Sequence, residues 1–210
     1  TTAETYANKY KSASDPSPEN DYLIAQTLFV QKKFTEAINT AKSIITQTNG
    51  NPRPRVYRLL SYSYMVSKDT ATACQYANQF FTKQTNEDEI YASDYLMHAQ
   101  ACGKSNPDVI LADIDKAKRK DPEQAVRVLK EALADARESG NKALEGSLSL
   151  FLYGLQGANA NPQQLVSIGI LFYQGGELQR ADSLFQVYNK SYADSIYGYY
   201  WSARLNAQID

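Results

Sequence analysis

The chain has one histidine, two cysteines and almost no net charge among its 210 residues, and each shortage removes a class of function. His98 stands without a Cys or carboxylate pattern at ligand spacing, so it reads as structural or exposed, and neither a metal site nor a cofactor is expected. Cys74 and Cys102 are too few for a disulfide framework and form no CxxC pair. Buried free thiols are the favoured reading. A bridge stays open, because antiparallel packing of their two neighbouring helices would bring those helix ends together. A formal charge of -1 and a pI near 5.9 give no reason to approach nucleic acid or an anionic membrane. The basic cluster Lys116, Lys118, Arg119 and Lys120 stands beside Asp115 and Asp121 and reads as a solvated helix end. No run approaches the roughly 18 apolar residues of a membrane helix, and the first residues are not a signal peptide. Asp113 and Asp115 fall on different sides of a helix, and Gly175-Gly176 joins two helices rather than leading from a strand to cradle phosphate. Enzymatic activity is not expected.

What the chain does have is apolar residues, 43% of the total, arranged with helical period. From Pro162 to Ala193 two short amphipathic helices flank Gly175-Gly176. Leu165, Ile168, Gly169 and Phe172 share one face of the first helix, and Ala181, Phe185 and Tyr188 share one face of the second. Asn161 before Pro162 marks the start of the first helix. Similar pairs recur. Residues 18–50 carry Ile24, Ala25 and Leu28, then Phe34, Ala37 and Ala41. Residues 54–86 carry Tyr57, Leu60, Ser61 and Tyr64, then Ala73, Ala77 and Phe80. Residues 88–121 start with a helix expected over 88–102, with Tyr95, Leu96 and Ala99 inward. Gly103 ends it, Ser105-Asn106-Pro107 lengthens the turn, and a second helix follows to Lys120. Residues 122–157 form a degenerate pair with Val126, Leu129, Leu133 and Ala136 inward. Residues 194–209 read as one more first helix with exposed tyrosines and Trp201. At the other end, residues 1–13 read as a lone second helix, since Tyr6-Ala7-Asn8-Lys9-Tyr10 matches Tyr76-Ala77-Asn78-Gln79-Phe80 about two periods later. Beginning and ending inside a repeat suggests a piece of a longer array.

A bulky residue, a leucine, a small residue and an aromatic on one helix, then Ala and an aromatic on the next, resembles the tetratricopeptide repeat of about 34 residues. In residues 162–193 those places hold Leu165, Ile168, Gly169, Phe172, Ala181 and Phe185. Tyr188 replaces the second Ala, and no proline closes the repeat. The Lys116-Ala117…Asp121-Pro122 ending also resembles the family's. The resemblance implies an all-α fold: a right-handed superhelical solenoid of stacked antiparallel helix pairs, about eleven helices in all, with the first helices forming the concave wall.

It also implies a function: a non-enzymatic scaffold that holds a protein or peptide segment in that groove, or alternatively the sensory or regulatory input domain of a longer protein. An all-α glycosidase would need paired acids lining a cavity. The family's groove positions fall here on Tyr22, Gln26 and Phe29; on Arg55, Arg58, Tyr62 and Met65; and on Met97 and Gln100. Farther along they fall on Arg127, Lys130 and Arg137, then on Gln163, Ile170, Tyr173 and Gln174. Aromatic, Met and Arg side chains are the types that anchor interfaces. Tyr22, Gln26 and Leu59 stand where chaperone-binding members use Lys and Asn, so their carboxylate clamp is not expected. Richness in Tyr, Asn and Gln, with the Tyr197–Arg204 stretch, is similar to repeat proteins of Bacteroidetes. This implies a bacterial scaffold of the cell envelope if an export signal was trimmed, and otherwise of the cytoplasm.

Overall fold

The computed structural model describes Thr5 and residues 17–103 and 107–209. Except for Thr5, the expected helix at 1–13 lies outside them, as do Ser105 and Asn106 of the lengthened turn. Among the described residues there are eleven α-helices and no strand. They are α1 (Pro18–Val30), α2 (Phe34–Gln47), α3 (Pro54–Val66), α4 (Thr70–Lys83), α5 (Ala92–Cys102), α6 (Pro107–Lys120), α7 (Pro122–Glu138), α8 (Lys142–Leu155), α9 (Gln163–Gln174), α10 (Leu178–Ser191) and α11 (Ile196–Ile209). The third pair begins later than expected: Glu87–Glu89 is a short 3-10 turn, and α5 starts only at Ala92. The cause is local, because the Asn86 side chain accepts from the Asp88 N–H and holds the chain in a turn before Tyr91 starts the helix.

One turn design makes four of the hairpins. The links α1–α2, α3–α4, α7–α8 and α9–α10 each have three residues, with the middle one left-handed: Lys32 and Lys68 at φ 62°, Gly140 at 70° and Gly176 at 80°. In each, the residue after it donates its N–H to a carbonyl five residues back, as Lys33 does to Leu28 and Glu177 to Phe172. Its own N–H goes to a carbonyl three back, so two otherwise orphaned carbonyls at each helix end are satisfied. Starts are as regular: Ser17, Asp69, Asp121 and Asn141 each accept from an N–H three residues on. Left-handed backbone disfavours a lysine, so Lys68→Gly raises the unfolding free energy by about 0.5 kcal/mol, read by urea titration.

The chain divides into two compact units, Thr1–Lys120 and Asp121–Asp210. In the first, each helix from α1 to α6 packs on the next, and α3 also touches α1 and α5. Ala25, Ile38, Ala41, Ile44, Val56, Leu59 and Leu60 form one core cluster, and burying each large aliphatic among them stabilises by about 1.5–3 kcal/mol. Ser61 is fully buried and donates 2.9 Å to the Ala73 carbonyl, so a small residue lets α3 and α4 approach. Cys74 of α4 and Cys102 at the end of α5 are joined in a disulfide, which corrects the expectation of free thiols. The packing of α4 on α5 brings their Cα atoms to 5.1 Å, within bridging range.

In the second unit α8 packs on α7 and α9, and α10 on α9 and α11. Ala125, Val128, Leu129, Leu133 and Ala136 are the buried stripe of α7, so Val126, expected inward, is only half-buried; a helix facing one neighbour has room for one such stripe. Val166, Ile168, Phe172, Ala181, Phe185, Tyr188 and Leu205 make the other cluster. A Cβ on Gly169 would lie 2.4 Å from the Phe185 ring, so Gly169→Ala costs about 2 kcal/mol, checked by thermal or denaturant unfolding.

Candidate functional site

The first helices of the first unit carry the densest set of anchor-type side chains, and three of them bring these together. On α1, the Tyr22 ring lies 4.4 Å from the guanidinium of Arg55 on α3. Arg55 pairs with Glu19, which also takes Arg53 at 3.3 Å. One turn on, the Arg58 guanidinium lies 4.5 Å from the Phe80 ring and 4.9 Å from the Tyr91 ring. It pairs with Asp94 at 3.0 Å and also donates to the Glu89 carbonyl. Asp94 is buried and takes two further donors, the Tyr91 N–H at 2.9 Å and the Tyr62 hydroxyl at 3.2 Å.

Burial and charge set the protonation of this row. Burial holds the Asp94 carboxyl above its ordinary range, against the opposing pull of the Tyr91 N–H and Arg58. Tyr62 is pushed far up by burial and by the Asp94 charge, so its hydroxyl keeps the proton it donates. Tyr22 is also raised by burial, with Arg55 and Arg58 acting the other way. Arg55 on Tyr22 and Arg58 on Tyr91 stand one turn apart on α3, which places the two aromatic–arginine pairs side by side along that helix.

Of the residues placed in the groove by sequence, Tyr22, Arg55, Arg58 and Tyr62 meet in this patch, and Gln26 and Gln100 are exposed. Met97 is not available: it is 4% exposed, with its sulfur 2.7 Å from Ser61 Oγ, because α5 turns that side toward α3. Met65 is half-buried against Ala73, Ala101 and Cys102, and Phe29 packs edge-on with Phe34 at 5.5 Å. In the second unit Arg127 pairs with Glu131 at 3.2 Å and Arg137 with Glu145 at 2.9 Å. Lys130, Gln163 and Gln174 are exposed, whereas Ile170 and Tyr173 are half-buried against the core, Tyr173 meeting Trp201 at 5.6 Å. Asp94 and Tyr91 were missed. Their signal was an Asp three residues after Tyr91, placed to accept the Tyr91 N–H at the start of α5.

Burial tends to raise Glu145, but hydrogen bonds from Lys142 and Arg137 outweigh it and leave this carboxyl below its ordinary range. Among the described residues no group of three or more His, Cys, Asp or Glu side chains could hold a metal ion, and no helix is long and apolar enough to cross a membrane.

No protein-family model and no curated protein sequence matches the chain. Among solved structures it is similar to the C-terminal part of a TPR repeat-containing protein from Cytophaga hutchinsonii, with a TM-score of 0.51 and 19% identity over 89% of this chain and 70% of that one. A thermophilic TPR protein from Thermus thermophilus matches at a TM-score of 0.43 and 11% identity, over 91% of this chain and 100% of that one. Within each unit the hairpins pack one on the next in sequence order, and the chain has the fold of a tetratricopeptide-repeat protein.

Proposed function

We propose that the protein is a non-enzymatic interaction scaffold that holds a protein or peptide segment against the α1, α3 and α5 face of its first unit. The patch formed by Tyr22, Arg55, Arg58 and Tyr91 carries this reading. Rigid aromatic rings stacked with arginines lose little side-chain entropy on binding, and Tyr91 remains 57% exposed. The disulfide supports work in an oxidising compartment, outside a reducing cytosol.

A photo-crosslinker at exposed Gln26, compared with one at exposed Lys130 of the second unit, tests the reading in extracts of the source cell. A discrete adduct at Gln26 that fades when Tyr22 and Tyr91 are changed to Ala is expected. Equal adducts at both positions, or one indifferent to Tyr22 and Tyr91, would overturn it. Arg58 is the wrong residue for this test, because Asp94 depends on it.

A further inference from the structure

A cavity of 410 Å³ lies among α4, the turn after it, α5 and α6, apart from the patch above. That volume is at the small end for ligand pockets and suits one small molecule. Its wall is fixed. His98 has both ring nitrogens engaged, Nδ1 with Asp113 Oδ2 at 2.5 Å and Nε2 with Asn78 Oδ1 at 3.1 Å. Asn78 in turn points its amide hydrogens at the Cys74 and Cys102 sulfurs, 3.4 and 3.9 Å away. The imidazole is therefore fixed in the wall through both of its nitrogens.

The unused groups around the wall define what can enter. Glu87 and Lys116 line the cavity and, among the described residues, neither side chain has an ion-pair partner. Asp113 is held by His98 through one oxygen and keeps its second, and burial, joined by Glu87, Asp113 and Asp94, raises the Tyr95 hydroxyl. Other charges stand close by: Lys120 donates to the Glu87 carbonyl at 3.0 Å, and Glu89 accepts from the lining Gln84 amide at 3.0 Å. A polyanion would meet Glu87 and Asp113, and a simple cation would meet Lys116. A flat heteroaromatic finds the Tyr95 ring already covered, by Phe81 at 5.1 Å and by the Lys116 ammonium at 5.5 Å. What remains is a small molecule with both charges a few ångströms apart.

We propose that this cavity binds a free α-amino acid with an apolar side chain. Its ammonium lies between Glu87 and Asp113, its carboxylate on Lys116 and the Thr85 hydroxyl, and its side chain against Phe81 and Ile90. The site is independent of the peptide-binding reading and stands if that fails.

Thermal unfolding of the whole chain with L-leucine and L-phenylalanine tests it, against analogues that lack one charge: isoamylamine and 4-methylpentanoate, phenethylamine and 3-phenylpropionate. At ten times its Kd an amino acid raises Tm by about 4 °C, and the single-charge analogues leave it unchanged. Lys116→Gln and Glu87→Gln, both at exposed side chains, keep the unliganded Tm and abolish the shift. The proposal is overturned if no proteinogenic amino acid moves Tm at millimolar concentration. It also falls if the single-charge analogues move Tm as far, or if both variants keep the shift.

Discussion

Replacing Cys74 and Cys102 by Ala, or reducing the disulfide, lowers the unfolding free energy of the first unit by about 3.5 kcal/mol. The figure follows from the loop that the bridge closes, a sequence separation of 28, whose closure entropy is otherwise available to the unfolded chain. Because the bridge joins α4 to α5, two different hairpins, the loss falls on the junction between them. In a stack whose members lean on their neighbours, a weakened junction loosens both sides. Hydrogen exchange is therefore expected to accelerate in α4 and α5 before α7 to α11 change. Equal urea midpoints with and without reductant would contradict this.

Arg58→Ala should cost about 3 kcal/mol, the largest loss from any single substitution on the α1, α3 and α5 face, because it leaves a buried carboxylate without its cation. The Asp94 side chain is 1% exposed and keeps only the Tyr91 N–H and the Tyr62 hydroxyl once Arg58 is gone. Asp94→Asn removes the charge instead of its partner, so it costs less, and Arg58→Met with Asp94→Asn costs less than the sum of the two changes. The pH dependence carries the sign. Burial raises the folded Asp94 above 3.8, so the protonated carboxyl suits the folded state better. Its favourable contribution is complete below that value and is lost as pH rises through the folded pKa. Without Arg58 the folded pKa climbs further. The deficit of Arg58→Ala is thus small in acid and grows toward neutrality, as urea unfolding at several pH values will show.

The hairpins were legible because their chemistry is local. Gly175-Gly176 and Gly140-Asn141 announce left-handed turns, and Leu165, Ile168 and Phe172 mark a buried stripe by spacing alone. Lys32 and Lys68 adopt the same backbone without announcing it, since lysine gives no sign of positive φ; their turns show only through the aromatic and alanine positions on either side. In α7 the alternatives Ala125, Val126 and Val128 are all apolar, so periodicity could not choose which pair faces inward, and tertiary packing did. The patch was half legible. Family positions named Tyr22, Arg55, Arg58 and Tyr62, which lie near one another, but not that Asp94 holds two of them together, because a carboxylate near a helix start looks like an ordinary cap until Arg58 is seen across from it. Met97 was misplaced for the same reason: which side of α5 meets α3 depends on residues far away in sequence. The disulfide depended on the meeting of two helix ends, which spacing allowed but did not require.

Long-range NOEs among side chains offer the sharpest check on sequential packing of hairpins. Contacts are expected between Gly169 and the Phe185 ring, between Ser61 and both Ala73 and Met97, and between Tyr173 and Trp201. Beyond these, cross-peaks within each unit should link helices that are next to one another, or next but one, in order along the chain. Strong cross-peaks joining α1 to α5 or α6, or α7 to α11, with the Gly169–Phe185 contact missing, would mean that distant helices share one centre, and the fold described above would be wrong.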